Sequence, residues 1–288
     1  MLHLVRFGEL SLKSRYVRRQ LQDTLLGNLH EMFAAEKVEC LTSVDFGRIY
    51  VRSDDDAATR SILSRTFGIV SFSPTAESPS DLPSICAAAA VYAKPLLHAG
   101  MSFAIRPRRS GTHSFKSQDI GREAGGAVWT AIPGLKVDLE TPDQEIHIEV
   151  RENHSFVFHE VVPGPGGLPL GSQGRAVALI EKPRDIAAAW LVMRRGARTT
   201  LAAIGEESLA APLRRWDPRL KIQTIEDPQD LAVTARAARA HAVVLPWGAD
   251  SLKGFDELKR ITGDTVPFFP LIGLSAEEID ALLLRIGA

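Results

Sequence analysis

The sequence predicts a multidomain protein in which α+β segments precede a C-terminal α/β segment. From Arg175 onward, short apolar runs alternate five times with helical patterns, which is typical of a doubly wound parallel sheet. Residues 84–161 follow the order helix, strand, helix, strand, strand, which favours a small mixed sheet covered by helices on one side. A Ser- and Pro-rich stretch at 73–83 and the Gly-rich stretch at 164–174 indicate linkers. The predicted domains are therefore residues 1–75, 76–165 and 166–288.

The first domain starts with an alternating strand, LHLVRFGEL, and continues from Ser14 as a helix. Apolar side chains recur along this helix every three or four residues and share one stripe: Val17, Leu21, Leu25, Leu29, Met32 and Phe33. Two further strands, Val38 to Val44 and Arg48 to Arg52, are expected on either side of a turn at residues 45–47. A short helix then leads into the sequence TFGIVSFSP.

The composition is that of a folded globular protein, with 45% hydrophobic and 24% charged residues in a chain of 288. There are 34 Lys and Arg against 35 Asp and Glu, so an RNA site would have to be a local patch. The sequence contains neither a long apolar run nor a signal peptide, so we expect a cytoplasmic protein without a membrane partner. Cys40 and Cys86 are far apart, and neither a disulfide framework nor a metal site is expected.

The densest basic patch lies between residues 106 and 122. Its cations stand beside Ser, Gly and Thr residues that let a backbone approach phosphate: Arg106, Arg108, Arg109, Lys116 and Arg122. Two interpretations remain at this point, an RNA-binding surface and an ordinary solvated loop.

A second basic group marks the start of the first helix: Lys13, Arg15, Arg18 and Arg19. Cations near a helix N-terminus oppose the helix dipole, so helix stability does not explain them. They either contact RNA phosphates or form a solvated helix face paired with Asp23.

The junction after the strand at 176–180 has the position of a phosphate-binding loop without its composition. A phosphate cradle needs small residues whose backbone N–H groups close on the anion at the start of a helix. Here the junction has no glycine, one proline that lacks an N–H, and carboxylates: Glu181, Lys182, Pro183, Arg184 and Asp185. Placing Glu181 against a phosphate oxygen would cost roughly 4 kcal/mol at an effective dielectric near 20. The sequence therefore predicts a degenerate nucleotide loop.

Catalytic residues are not predicted anywhere in the chain. His147, His154 and His159 lie on neighbouring strands, but their spacing puts them on different faces and no thiolate or carboxylate accompanies them. Nucleophilic Ser/His/Asp chemistry would need a G-x-S-x-G elbow, which the sequence lacks.

Six strings in order resemble the tRNA 4-thiouridine synthetase family, also called the ThiI family of tRNA sulfurtransfer and thiamine biosynthesis. They cover nearly the whole chain: RFGELSLKSR at 6–15, FGIVSFSP at 67–74, residues 103–126, VDLETPDQEIHIEVR at 137–151, GGLPLGSQG at 166–174 and PLIGLSAEEI at 270–279. The resemblance implies a ferredoxin-like N-terminal domain, a THUMP domain and a C-terminal PP-loop domain. It also implies that the acceptor arm of tRNA is the partner, and it suggests a homodimer.

The resemblance implies a chemistry from which this sequence departs. Family members hold ATP on an SGG-x-D-S loop and pass sulfur through a later cysteine, whereas this chain has residues 181–185 at the loop and no cysteine after Cys86. The favoured interpretation is a tRNA-binding protein without ATP or another cofactor. The alternative is an active ATP- and Mg²⁺-dependent tRNA sulfurtransferase that makes 4-thiouridine with a divergent loop. A separate sulfur-donor or modification-complex protein would then be a further partner.

Overall fold

The computed structural model describes residues 1–8, 14–45, 47–248 and 254–287, which form two compact units. Unit 1 comprises Met1–Arg6, Cys40–Asp55 and Ser71–Val162. Unit 2 comprises Phe7–Glu39, Asp56–Val70 and Pro163–Ala288. The chain passes between the units several times, and the domain boundaries predicted at 75 and 165 stay predictions.

Unit 1 is built on a mixed sheet. Its strands are β1 (Leu2–Phe7), β2 (Leu41–Asp45), β3 (Arg48–Arg52), β4 (Ile69–Pro79), β5 (Ser102–Ser110), β6 (Lys136–Val137), β7 (Gln144–Arg151), β8 (His154–Phe158) and β9 (Val162–Pro163). Within the described residues the order is β2-β3-β1-β4-β8-β7-β5-β6, and β9 pairs with β4. β5 and β7 are parallel, whereas β7 and β8 are antiparallel.

Two helices of unit 1 pack on one face of this sheet. They are α3 (Leu82–Ala93) and α4 (Ser117–Ala131), and the apolar core beneath them includes Phe103, Ile105, Ile146 and Ile148. Side chains alternate across a strand, so the intervening residues of β5 and β7 project from the opposite face. That opposite face carries the charged residues Arg106 and Arg108 of β5 and Glu145, Glu149 and Arg151 of β7.

The linker expected at 73–83 is wrong, because β4 is a strand of eleven residues that ends at Pro79. It pairs with β8 from Ala76 to Pro79. Hydroxyl side chains add bonds between the two strands: Thr75 Oγ1 donates to the Val157 carbonyl at 3.0 Å, and Ser78 and Ser155 lie 2.7 Å apart. Pairing with a neighbouring strand outweighs the local preference of this Ser- and Pro-rich stretch.

Unit 2 contains the predicted N-terminal helix and the predicted parallel sheet. Its helices are α1 (Arg15–Ala35), α2 (Asp56–Leu63), α5 (Ile186–Arg194), α6 (Leu231–Ala238), α7 (Phe255–Thr262) and α8 (Ala276–Ile286). Its parallel strands are β10 (Arg175–Ile180), β11 (Arg198–Ile204), β12 (Lys221–Ile225), β13 (Ala242–Val244) and β14 (Val266–Phe268). Their order, β12-β11-β10-β13-β14, confirms the doubly wound sheet.

The central strand β10 shows why the parallel sheet has two apolar faces. Ala176, Ala178 and Ile180 pack into one core, whereas Val177 and Leu179 pack into the other. A parallel strand that is buried on both sides has a continuous apolar sequence, and this pattern predicted the strand.

One of the helical patterns predicted after Arg175 forms a 3₁₀ segment instead of an α-helix, at Glu207–Arg215, with Pro212 inside it. Proline lacks the N–H that an α-helix needs at this position. Throughout the described ranges, no helix has the length and apolar character required to cross a membrane.

Candidate nucleic-acid interface

The strongest basic cluster predicted from sequence lies on strand β5 rather than in a loop. The interpretation of this run as a solvated loop does not hold for residues 106–110, because β5 continues to Ser110. Arg106 and Arg108 therefore project from the sheet face opposite α3 and α4, and Arg109 projects from the other face. In the parallel register Arg108 lies beside Glu149 of β7.

These three arginines differ in how far they are already engaged. The Arg106 guanidinium donates to Glu145 at 2.7 Å and to the Leu139 carbonyl at 2.9 Å. Arg109 donates to the Gly111 carbonyl at 2.7 Å and holds the adjoining turn. Arg108 is exposed and has no hydrogen-bond or ion-pair partner among the described residues. Arg108 is therefore the cation of this cluster that is most available to a ligand.

Lys116 and Arg122 lie at the start of α4. Both are exposed, but Arg122 pairs with Glu123 at 3.0 Å and with Asp119 at 3.4 Å. Asp119 also accepts a bond from the Lys116 backbone N–H at 2.8 Å, which closes the first turn of the helix. Arg122 is thus largely neutralised, whereas the Lys116 ammonium extends into solvent.

Sequence analysis missed three arginines that converge on the same sheet face. Glu149, which is 4% exposed, receives Arg48 Nε at 3.1 Å, Arg151 Nε at 2.5 Å and Arg6 Nη2 at 3.8 Å. We call Arg6, Arg48, Arg108 and Arg151, grouped around Glu149, the arginine cluster. Four positive charges surround a single carboxylate, so the cluster carries an excess of positive charge.

The curvature of the sheet brings the arginine cluster together. β3 and β7 are four positions apart in the strand order, which is about 19 Å in a flat sheet. Arg48 on β3 nevertheless reaches Glu149 on β7. The rings of Tyr50 on β3 and Phe156 on β8 stack with centroids 4.9 Å apart, as expected if the sheet curves toward this face. We call these rings and Phe158 the aromatic floor of the face. The Arg6 guanidinium lies 4.8 Å above the Phe158 ring on this floor.

Burial and charge act against each other in this cluster. Burial lowers the pKa of Arg6 and of Arg48, and the neighbouring guanidiniums lower it further while Glu149 opposes them. Burial alone would raise the pKa of Glu149, but the charges of Arg48, Arg151 and Arg6 outweigh it and lower that pKa. The like charges of these guanidiniums thus repel one another at this site. An additional anion would therefore relieve the repulsion among the arginines.

An apolar groove of about 650 Å³ opens between β5 and α4. Gly121 and Gly125 lie on the side of α4 that faces the groove, next to Pro107 and Ile105 of β5. Trp129, 55% exposed, forms one wall, and its ring is held by a 3.1 Å bond from Nε1 to the Leu135 carbonyl. The rim carries three polar side chains: Arg106, Gln118 and Arg122. The groove thus combines an exposed aromatic face with cations at its edge.

The second predicted basic group lies in unit 2. Arg15, Arg18 and Arg19 are exposed on the first turns of α1, and Lys13 lies outside the described residues. Arg19 approaches Asp23 at 4.0 Å, with both side chains mostly solvated. This contact is the solvated pair that sequence analysis weighed against RNA binding, and the role of the group stays a prediction.

The structure shows what occupies the predicted degenerate loop. Residues 183–185 form a 3₁₀ turn between β10 and α5, and Asp185 is 4% exposed. Its carboxylate accepts bonds from the backbone N–H groups of Glu181 at 2.9 Å and Lys182 at 2.8 Å. Burial raises the pKa of Asp185 even though these two hydrogen bonds oppose the shift. The backbone donors at the end of β10 are therefore bonded to the protein's own carboxylate.

A second corner of unit 2 repeats this arrangement. After β12, Asp230 accepts from the N–H groups of Glu226 at 3.2 Å and Asp227 at 3.1 Å. Both corners have the sequence pattern E-x-P-x-D, at residues 181–185 and 226–230. The turn after β10 and the turn after β12 are thus stabilised in the same way, by an aspartate that accepts two backbone N–H bonds.

The histidines and cysteines do not form a reactive centre in the described part of the chain. The expectation that no carboxylate accompanies these histidines is wrong for two of them, because His147 lies 3.6 Å from Glu145 and His154 lies 2.9 Å from Glu77. His159 contacts the Tyr92 hydroxyl at 2.9 Å. No group of three His, Cys, Asp or Glu side chains is arranged to hold a metal within these residues. Burial raises the pKa of the Cys40 and Cys86 thiols, which lowers their thiolate content.

Two known domain families and a full-length relative match this chain. Residues 2–73 match the ThiI ferredoxin-like domain, and residues 79–160 match the THUMP domain. A probable tRNA sulfurtransferase of Methanothermobacter thermautotrophicus is 32% identical over 99% of this chain and 84% of its own length. The chain belongs to the tRNA sulfurtransferase family. The resemblance read from the sequence is thereby confirmed.

One other member of the tRNA sulfurtransferase family matches this chain over a shorter region. The probable tRNA sulfurtransferase of Methanosarcina acetivorans is 40% identical over 68% of this chain, and the match spans about half of that relative, 49%. The structure of a 4-thiouridine synthetase–RNA complex with bound ATP superposes with a TM-score of 0.81 at 19% identity, over 99% of this chain and 84% of that one. This likeness confirms the predicted fold class.

The family domains locate the arginine cluster within the tRNA sulfurtransferase architecture. Arg6 and Arg48 come from the ferredoxin-like domain, whereas Arg108 and Arg151 come from the THUMP domain. The two domains therefore contribute jointly to one face of the mixed sheet. The apolar groove beside Trp129 lies entirely within the THUMP domain.

Proposed function

We propose that this chain binds tRNA through the sheet face of unit 1 that carries the arginine cluster. The excess of positive charge around Glu149 supports this proposal most directly. Guanidinium groups bind phosphate oxygens in pairs, and buried like charges favour a ligand that neutralises them. The family assignment supports RNA as the polyanion, because relatives are named tRNA sulfurtransferases and one structural neighbour is an RNA complex.

The acceptor arm is the part of tRNA that fits the two features of this unit. Arg108 and Lys116 are exposed cations suited to the phosphates of a helical stem. The groove beside Trp129 offers an aromatic face on which an unpaired base can stack, and Arg106 and Arg122 stand at its rim. A duplex that ends in unpaired nucleotides presents both kinds of group. Arg109 holds its own turn and serves the interface indirectly.

The proposed activity of this chain is binding without ATP chemistry. The Asp185 carboxylate occupies the backbone donors that a triphosphate would need, and both described cysteines have raised pKa values. Unit 2 then contributes as a scaffold. A homodimer and a separate sulfur-donor or modification-complex protein belong to this proposal as partners.

The alternative is an active sulfurtransferase, which the names of the relatives and the ATP in a structural neighbour favour. We expect calorimetry with ATP and Mg²⁺ to show no binding up to millimolar concentration, because residues 181–185 leave no free nest of donors. Micromolar binding that Lys182→Glu/Arg184→Glu abolishes would place ATP at this corner and contradict the proposal.

Steep salt dependence is the direct test of tRNA binding. With about six phosphate contacts, affinity should fall on the order of 1000-fold between 50 and 200 mM salt. Fluorescence anisotropy with labelled tRNA measures this slope. An acceptor-stem duplex with unpaired 3′ nucleotides should bind more tightly than the same duplex with blunt ends. Affinity that is independent of salt, or equal for the two duplexes, would contradict the proposal.

A further inference from the structure

Unit 2 contains a basic groove at the edge of its sheet that faces away from the degenerate loop. The groove, of about 360 Å³, lies over the first residues of β10, β11 and β12 and beside the second half of α6. Sheets of this type bind ligands at the carboxyl ends of the strands. The groove lies at the amino ends, so it is distinct from the nucleotide corner.

The topology of the sheet leaves this groove open. α6 connects β12 to β13 and packs its apolar side over β10, with Leu231 and Ala235 in the core that also contains Val177 and Leu179. Among the described residues no helix covers this face of the outer strand β12, and its residues Lys221 and Gln223 are exposed. The floor of the groove is a solvated strip of sheet.

Four cations line the groove: Arg175, Arg198, Arg219 and Lys221. In the parallel register Arg175 pairs with Arg198, and Lys221 pairs with Thr200, so the cations begin three neighbouring strands. Their backbones span about 10 Å. The arrangement is a row of positive charges across the sheet.

Nearby carboxylates neutralise only part of this row. Arg198 lies 3.3 Å from Asp217 and 3.4 Å from Glu31, and Arg219 lies 2.6 Å from the same Glu31. The side chains of Arg175 and Lys221 have no ion-pair partner in the part of the chain that the structure describes. Two positive charges therefore remain available.

Hydroxyl groups complete the lining. Thr200 and Thr234 line the groove beside these cations. Thr234 is 3% exposed, and its hydroxyl has no hydrogen-bond partner among the described residues. Hydroxyls beside cations are suited to phosphate oxygens and ribose hydroxyls.

We propose that this groove binds the sugar–phosphate backbone of RNA, which gives unit 2 a role in RNA binding. The inference rests on the proposed function, since it assumes that tRNA is the ligand of the chain. A single phosphate is usually cradled by converging backbone N–H groups at a helix N-terminus, whereas α6 reaches the groove with its carboxyl-terminal half, at Ala237 and Ala238. Cations spread across three strands instead match successive phosphates of an extended chain.

The test is the salt dependence of tRNA binding by Arg175→Gln/Lys221→Gln. Loss of two phosphate contacts should make the slope of log affinity against log salt less steep by about 1.4 to 1.8. The matched control is Lys259→Gln/Arg260→Gln, which removes the same charge from exposed positions on α7 and should keep the wild-type slope. Circular dichroism confirms that both variants are folded. A slope unchanged in the groove variant overturns the inference.

Two further outcomes separate the inference from the proposed function. If the wild type binds tRNA and the groove variant matches it, the inference alone fails; if the wild type does not bind tRNA, both fail. Titration with inorganic pyrophosphate distinguishes a small phosphate ligand. Micromolar pyrophosphate binding that the groove variant loses, without any change in its tRNA slope, would assign the groove to a small phosphorylated molecule and overturn the inference.

Discussion

Arg106→Glu/Arg108→Glu is expected to bind tRNA about 100-fold more weakly than the wild type, a loss of about 2.7 kcal/mol. Arg108 is the exposed member of the arginine cluster, and Arg106 stands at the rim of the Trp129 groove. The two substitutions remove two cations from the proposed RNA-binding face and put two carboxylates in their place. A glutamate at position 106 would also repel Glu145, which pairs with the native arginine at 2.7 Å.

The control for this prediction is Lys94→Glu/Lys136→Glu. These lysines are exposed in the same unit, so the net charge changes equally while the arginine cluster stays intact. Anisotropy at several salt concentrations should show a reduced slope for the arginine variant alone. If both variants lost affinity equally, overall charge rather than this face would hold the RNA, and the proposed interface would be wrong.

The sequence predicted the elements whose signal is local. The apolar stripe of α1 is buried at Leu21, Leu25 and Leu29, as the three- and four-residue spacing required. The run RAVALI at 175–180 is a strand buried on both faces, and the alternation of strands with helices gave the parallel sheet. These features depend on residues a few positions apart, so periodicity was sufficient to find them.

The interface was only partly predictable because it is assembled from residues distant in sequence. Arg108 could be found in a dense basic run, whereas Arg6, Arg48 and Arg151 stand among unremarkable strand residues. Their convergence on Glu149 depends on the strand order and on the curvature of the sheet. Neither property has a local signature in the sequence.

At the degenerate loop, the sequence predicted which residues are missing but not which hydrogen bonds form. The absence of glycine between 181 and 185 was evident in the sequence, and the Glu181 carboxylate was expected to repel a phosphate. In the structure Asp185 stabilises this turn, because its carboxylate accepts hydrogen bonds from the backbone N–H groups of Glu181 and Lys182. The residue types showed that the glycines of a phosphate loop are missing from this corner, whereas the hydrogen bonds that replace the loop depend on the folded backbone.

Glu149→Gln is expected to destabilise unit 1 by about 3 to 5 kcal/mol, the cost of leaving buried charges without their counter-ion. Glutamine keeps the size and one acceptor oxygen of the side chain but supplies no charge. Arg6, Arg48 and Arg151 would then repel one another across a site where the native carboxylate is 4% exposed. Hydrogen exchange of the β7 and β8 amides reports this loss locally, without assuming two-state unfolding of the whole chain.

The matched control is Glu145→Gln on the same face of β7. Glu145 pairs with Arg106, but its side chain is 40% exposed, so its loss should cost less than about 1 kcal/mol. Equal effects of the two substitutions would mean that water compensates the arginines and that the excess charge is not buried.

Two further measurements test whether Glu149 acts as the counter-ion of the arginine cluster: the pH dependence of stability and the effect of added sulfate. Because the folded-state pKa of Glu149 is lowered, its contribution is complete above the unfolded value of about 4.3 and disappears as pH falls through the folded value. The stability difference between wild type and Glu149→Gln should therefore shrink on acidification. Sulfate should slow exchange in the variant more than in the wild type, because an anion can replace the missing carboxylate. If sulfate had no such effect, the cluster would not be an anion-binding site, and its role in holding RNA phosphate would have to be abandoned.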